Sequence, residues 1–102
     1  MESKEFLKKI KYAVLSVDDK ADVILFGSRA RGDNKPDSDW DILVLPTKKV
    51  DMILEDSIRS EVYAIELKYT QPISTIIVDR ELWKKMSITG FYENVVKEGI
   101  VL

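Results

Sequence analysis

The sequence predicts an α/β domain: a small β-sheet of about three strands with helices packed against it. Three observations carry this prediction. Short apolar runs at Val23–Phe26, Asp41–Leu45 and Ile73–Val78 are bounded by glycine, proline or aspartate and are too short to be helices. Between them, apolar residues recur every three or four positions, as a helix with one buried face requires. The resulting order, α-β-(α)-β-α-β-α-α, is that of helices layered on a sheet.

Each element has its own local cause. Ser3 is placed to cap a first helix in which Phe6, Leu7, Ile10, Ala13, Val14 and Val17 form one stripe and Lys4, Lys8, Lys9 and Lys11 lie mostly between them. Asp18-Asp19-Lys20 breaks that pattern, and Val23–Phe26 follows as a buried strand ended by Gly27. Residues 28–38 hold Gly32 and Pro36 among Asp33, Asn34 and Asp37, which predicts a helical turn from Ser28 and then an open loop. Asp41–Leu45 is the second strand, and Pro46 ends it for want of an N–H. Asp51 can cap a long helix to about Tyr69, with Leu54, Ile58, Val62, Ile65 and Tyr69 on one stripe. Glu55 and Arg59 lie four apart on it, worth about 0.2–0.5 kcal/mol. After the third strand, Asp79 is the N-cap of a short helix over Arg80–Met86. A last helix, about Gly90–Glu98, groups Phe91, Tyr92, Val95 and Val96, and Gly99-Ile100 reads as a Schellman-type stop.

Length and composition bound what this fold can do. At 102 residues the chain reads as one domain, 1–102, able to bury a core but with little room for a second substrate-binding unit. Its net charge of −2 gives no general case for nucleic-acid binding. Without cysteine or histidine, thiolate chemistry and imidazole bases are excluded, so any general base is a carboxylate, a metal-bound hydroxide or the substrate. The charged opening Met1-Glu2-Ser3-Lys4-Glu5 is unlike a signal peptide, and no apolar run approaches the roughly 20 residues of a membrane span. A cytoplasmic protein is the expectation.

The chemistry concentrates in Gly27–Val44. Asp39 and Asp41 are two apart at the start of a strand, so alternation sets their side chains on one face and Trp40 on the other. Two carboxylates so close call for a cation, and hard oxygen ligands select Mg²⁺ or Mn²⁺. Gly27-Ser28 ends a strand and begins a helical turn, where free backbone N–H groups attract phosphate and the Ser28 hydroxyl adds a donor. An ordinary strand-to-helix turn with Ser28 as N-cap is the commoner meaning of that pair in isolation. Arg29, Arg31 and Lys35 put positive charge beside the turn; a solvated loop accounts for each, with Arg29 the first choice for a triphosphate contact. Trp40 is placed for core packing rather than base stacking.

Gly27-Ser28, a short linker and Asp39-Trp40-Asp41 together resemble the signature of the DNA polymerase β-like nucleotidyltransferase superfamily. The form Gly-Ser-Arg-Ala-Arg-Gly followed by Ser-Asp-x-Asp is most similar to its minimal nucleotidyltransferase domains. The resemblance implies a mixed sheet, where simple helix–strand alternation suggests a parallel one. It implies transfer of a nucleoside monophosphate, AMP by expectation, from ATP to an acceptor hydroxyl with release of pyrophosphate. Asp39 and Asp41 would hold the metal, and Gly27, Ser28, Arg29 and Ser38 the nucleotide. It also implies a second reading, an antitoxin-type module that binds a small helical HEPN-like partner. A third acid expected on a later strand has no counterpart here: Ile73–Val78 carries Ser74 and Thr75, Asp79 reads as a cap, and Glu66 lies on the preceding helix's polar face.

Overall fold

The computed structural model describes residues 3–102; Met1 and Glu2 of the charged opening lie outside them. Helix α1 (Ser3–Leu15) leads to strand β1 (Asp22–Phe26), the single turn α2 (Ser28–Arg31) and β2 (Trp40–Leu45). Helix α3 (Met52–Tyr69), β3 (Ile73–Ile77), α4 (Arg80–Lys85), a 3₁₀ turn (Met86–Ile88), α5 (Gly90–Glu98) and β4 (Ile100–Val101) complete the chain.

The sheet has the order β3-β2-β1-β4. β1 pairs antiparallel with β2 and with β4, whereas β2 and β3 run parallel. The 18-residue α3 supplies the crossover that a parallel pair needs. The sheet is thus mixed, with four strands where the sequence predicts about three.

The strand missed is β4, and the cause is Gly99. Its backbone is extended (φ −67°, ψ 148°) rather than left-handed, so α5 runs directly into a strand instead of a Schellman turn. Glycine is required there by close approach: a Cβ would meet the Val95 carbonyl oxygen and the Ile24 side chain. Left-handed helix ends lie elsewhere, at Gly32 (φ 86°) and at Thr70 (φ 53°), whose N–H donates to the Glu66 carbonyl.

Strand alternation divides the core into two layers. Trp40, Ile42 and Val44 face α1 and α3 and pack with Phe6, Ile10, Val14, Leu54, Ile58 and Val62. Leu43 and Leu45 face the other way, against Val78, Val95, Trp83 and Phe91. Each fully buried aliphatic or aromatic side chain contributes roughly 1.5–3 kcal/mol relative to exposure. Two caps form as the sequence predicts, Asp51 accepting from the Leu54 N–H and Asp79 from those of Glu81 and Leu82, whereas Ser3, expected as a cap, is the first residue of α1 itself.

Asp18, read in the sequence as a break in a helical pattern, is 1% exposed. Its carboxylate accepts from the Thr47 N–H (2.6 Å), the Thr47 hydroxyl (2.7 Å), the Lys48 N–H (3.0 Å) and the Lys20 N–H (3.2 Å). It ties the turn after α1 to the turn after β2. Burial pushes its pKa up, but the hydrogen bonds from Thr47, Lys48 and Lys20 outweigh burial and hold it below the usual carboxylate range.

Candidate active site

The site is built where β1 gives way to α2 beside the start of β2. Gly27 takes φ 75° and ψ −159°, a region that only glycine enters without strain. A Cβ on Gly27 would fall on the Asp41 carboxylate oxygen Oδ2, so the backbone lies directly against that side chain. The Gly27 carbonyl accepts from the Ala30 and Arg31 N–H groups, each at 3.1 Å, and Gly32 (φ 86°) ends the turn. As the first N–H groups of α2, those of Ser28 and Arg29 have no partner carbonyl within it. Gly27, not Ser28, is the N-cap residue, and the turn has no side-chain cap.

Asp39 is exposed and stands one residue before β2; Asp41 is half-buried within it. Trp40 points into the opposite layer, 5% exposed, with its ring 5.1 Å from that of Phe6. In register, Asp41 lies between Phe26 of β1 and Ser74 of β3. Burial raises the Asp41 pKa, the Asp39 charge raises it further, and Arg31 partly offsets both. Neither carboxylate accepts a hydrogen bond from any of the described residues, and two such oxygen donors fit a hard divalent cation.

The loop between them and α2 is held by Arg29. Its guanidinium donates to the Ser38 carbonyl (3.0 and 3.3 Å) and the Pro36 carbonyl (3.1 Å), and lies 4.4 Å from the centre of the Trp40 ring. The Ser38 hydroxyl accepts from the Lys35 N–H at 2.9 Å. Arg29 and Ser38 therefore shape the segment that delivers Asp39. Arg31 is braced by Asp33 (3.1 Å) and by Glu98 at the end of α5 (3.4 Å), and both raise its pKa. The Glu98 contact joins residues 67 apart, so no local pattern could have signalled it.

The remaining acids are engaged elsewhere. The residue that β3 sets beside Asp41 is Ser74, not a carboxylate. Asp79 caps α4, and Glu66, half-buried rather than on a fully polar face, accepts from the Ile73 N–H at 2.7 Å. Arg59 donates to the Thr75 carbonyl at 2.9 Å and pairs with Glu55 at 3.7 Å. Arg59, Glu66 and Thr75, with Val62, Tyr63 and Ile73, line a groove of about 240 Å³ between α3 and β3. No cluster of three acidic, histidine or cysteine side chains suited to a metal occurs among the described residues.

Comparison with known proteins places this geometry in a family. A family model described as a nucleotidyltransferase domain matches residues 4–102, and the chain belongs to that family. Two Methanocaldococcus jannaschii proteins, both named "putative protein adenylyltransferase", are similar to it. One is 38% identical over 80 residues, covering 78% of this chain and 75% of the relative. The other is 36% identical over 102 residues and covers 98% of each. The fold resembles a toxin–antitoxin protein crystallised with AMP-PNP (TM-score 0.64, 23% identity, 92% of this chain and 69% of that one). It also resembles the MntA-HpeT toxin–antitoxin in a variant with two aspartates, two residues apart, changed to glutamate. That match has a TM-score of 0.60 at 19% identity and covers 99% of this chain and 72% of the other. No helix among the described residues is long and apolar enough to cross a membrane.

Proposed function

We propose that the protein transfers a nucleoside monophosphate, AMP from ATP, to a hydroxyl on a separate acceptor. The observation that carries this is the Gly27 backbone set directly against Asp41, with Asp39 beside it and no donor among the described residues on either carboxylate. Asp39 and Asp41 would hold Mg²⁺ or Mn²⁺, which neutralises triphosphate charge and polarises the reacting oxygens. The N–H groups of the Gly27–Arg29 turn and the Ser28 hydroxyl bind the β- and γ-phosphates, for which a backbone without a side chain leaves room. Arg29 acts through the loop, fixing Ser38 and hence Asp39, and the charge of Arg31 supports the bound triphosphate. The acceptor oxygen bonds to the α-phosphorus as the bond to the bridging β-phosphate oxygen breaks. Pyrophosphate leaves, and the hydroxyl proton passes to a carboxylate or to water. With positioning and charge as the protein's main contributions, loss of either aspartate removes the activity. Label transfer from α-labelled ATP with Mg²⁺ tests this: Asp39→Asn should abolish transfer with the fold intact, and retained transfer would overturn the assignment.

Ser74 in place of an acid beside Asp41 favours a second reading. In it, this is a nucleotide-binding, antitoxin-type module that engages a HEPN-like partner with little or no turnover. The toxin–antitoxin proteins of the same fold support it. Calorimetry separates the two, since Mg²⁺-ATP binding without transfer in the partner's presence is the signature of the second. In either case the protein acts in the cytoplasm.

A further inference from the structure

We propose that α1 carries a docking face for an acidic, amphipathic helix of a partner protein. This goes beyond the nucleotide site and does not rest on it. Lys4, Leu7, Lys8 and Lys11 recur at three- and four-residue spacing and so form one stripe of α1. With Leu102 they line a groove of about 270 Å³. Leu7 and Leu102 are only partly buried and give the groove an apolar floor continuous with the core. Lys4 and Lys8 are exposed and Lys11 half-buried, and none of the three forms an ion pair with the described residues. Glu5, the acid of this helix, lies three residues before Lys8 and four before Lys9 and forms no ion pair with either.

Charge and dimensions select the occupant. The chain as a whole is acidic, at −2, so three lysines around an apolar floor, none ion-paired among the described residues, are a local reversal of sign. Lys4 to Lys11 spans about 10 Å along the helix, the reach of acids at i, i+4 and i+7 on a facing helix. An apolar residue between those acids fills the groove, as in other helix-in-groove contacts. A nucleic-acid strand would instead need a longer basic track, with phosphates in place of an apolar anchor. Because α1 packs on the layer of Trp40, Ile42 and Val44, a helix bound there leaves the Asp41 face of the sheet open.

The probe is a fluorescein-labelled helical peptide with glutamates at i, i+4 and i+7 around a leucine stripe, titrated into the full chain by anisotropy. We expect saturable binding that weakens at least about tenfold in a Lys4→Glu/Lys8→Glu/Lys11→Glu variant and in about 0.5 M salt. The variant's circular dichroism and Tm confirm its fold, and it should instead bind a charge-reversed lysine peptide. Equal binding of the glutamate peptide by the variant, equal binding of a scrambled peptide, or tighter binding of an oligonucleotide of the same charge would each overturn the proposal.

Discussion

Asp18 and Asp41 are aspartates withdrawn from water to different ends. Asp18, 1% exposed, is surrounded by four donors, and its pKa falls despite its burial. Asp41 is less buried, accepts no hydrogen bond from the described residues and faces another carboxylate; its pKa rises. Burial alone therefore does not set the behaviour of an acid: the partners supplied to its charged form do. The first aspartate joins two turns; the second has no donor among the described residues, as the metal role proposed for it requires. A structural acid and a site acid can thus be told apart by their donors.

The largest test of this contrast is Gly27→Ala. Its Cβ falls on the Asp41 carboxylate, and φ 75° is strained for alanine. We expect transfer of label to fall by roughly 100-fold, with a stability loss of about 1–3 kcal/mol in urea denaturation. Next is Asp18→Asn, which sets an amide NH₂ against N–H and O–H donors. It should cost roughly 2–4 kcal/mol while leaving Mg²⁺-ATP affinity unchanged at temperatures where the variant is folded. Smaller still is the pH response. The depressed pKa of Asp18 gives stability that is present above its unfolded value, about 3.9, and is lost as pH falls through the folded value. Acid unfolding monitored by circular dichroism should accordingly be less steep in Asp18→Asn. Asp41 has the opposite sign: its raised pKa imposes a cost above the folded value, relieved as pH falls. Asp41→Asn should therefore raise Tm at neutral pH by on the order of 1–2 °C while transfer is lost. A fall in Tm would show that Asp41 has a stabilising partner after all.

What the sequence made legible follows the range of the forces involved. The Asp51 and Asp79 caps, the α3 stripe and the alternation of Asp39, Trp40 and Asp41 are set by neighbours within four residues, and each forms as read. The role of Asp18 depends on Thr47, 29 residues away, so Asp18-Asp19-Lys20 looks like any polar turn. Arg29, the first choice for a phosphate contact, meets the Pro36 and Ser38 carbonyls and the Trp40 ring, contacts created only when the loop closes. Strand β4 was hidden because a glycine after a helix usually signals a left-handed stop. Here the approach of Val95 and Ile24 is what demands it. The Asp pair and the glycine before Ser28 are legible as a motif; that Gly27 lies directly against Asp41 depends on the pairing of β1 with β2, 15 residues apart at Phe26 and Asp41.

The contacts of Glu66 and Arg59 with β3 have a consequence for how this sheet ends. β3 is an outer strand, and outer strands offer backbone groups on which a foreign chain can template itself. Glu66 already occupies the Ile73 donor and Arg59 the Thr75 acceptor, so α3 acts on that margin as a strand would, through two side chains. An incoming segment must displace both contacts before it can pair along the whole of β3, which adds a cost to edge-to-edge association there.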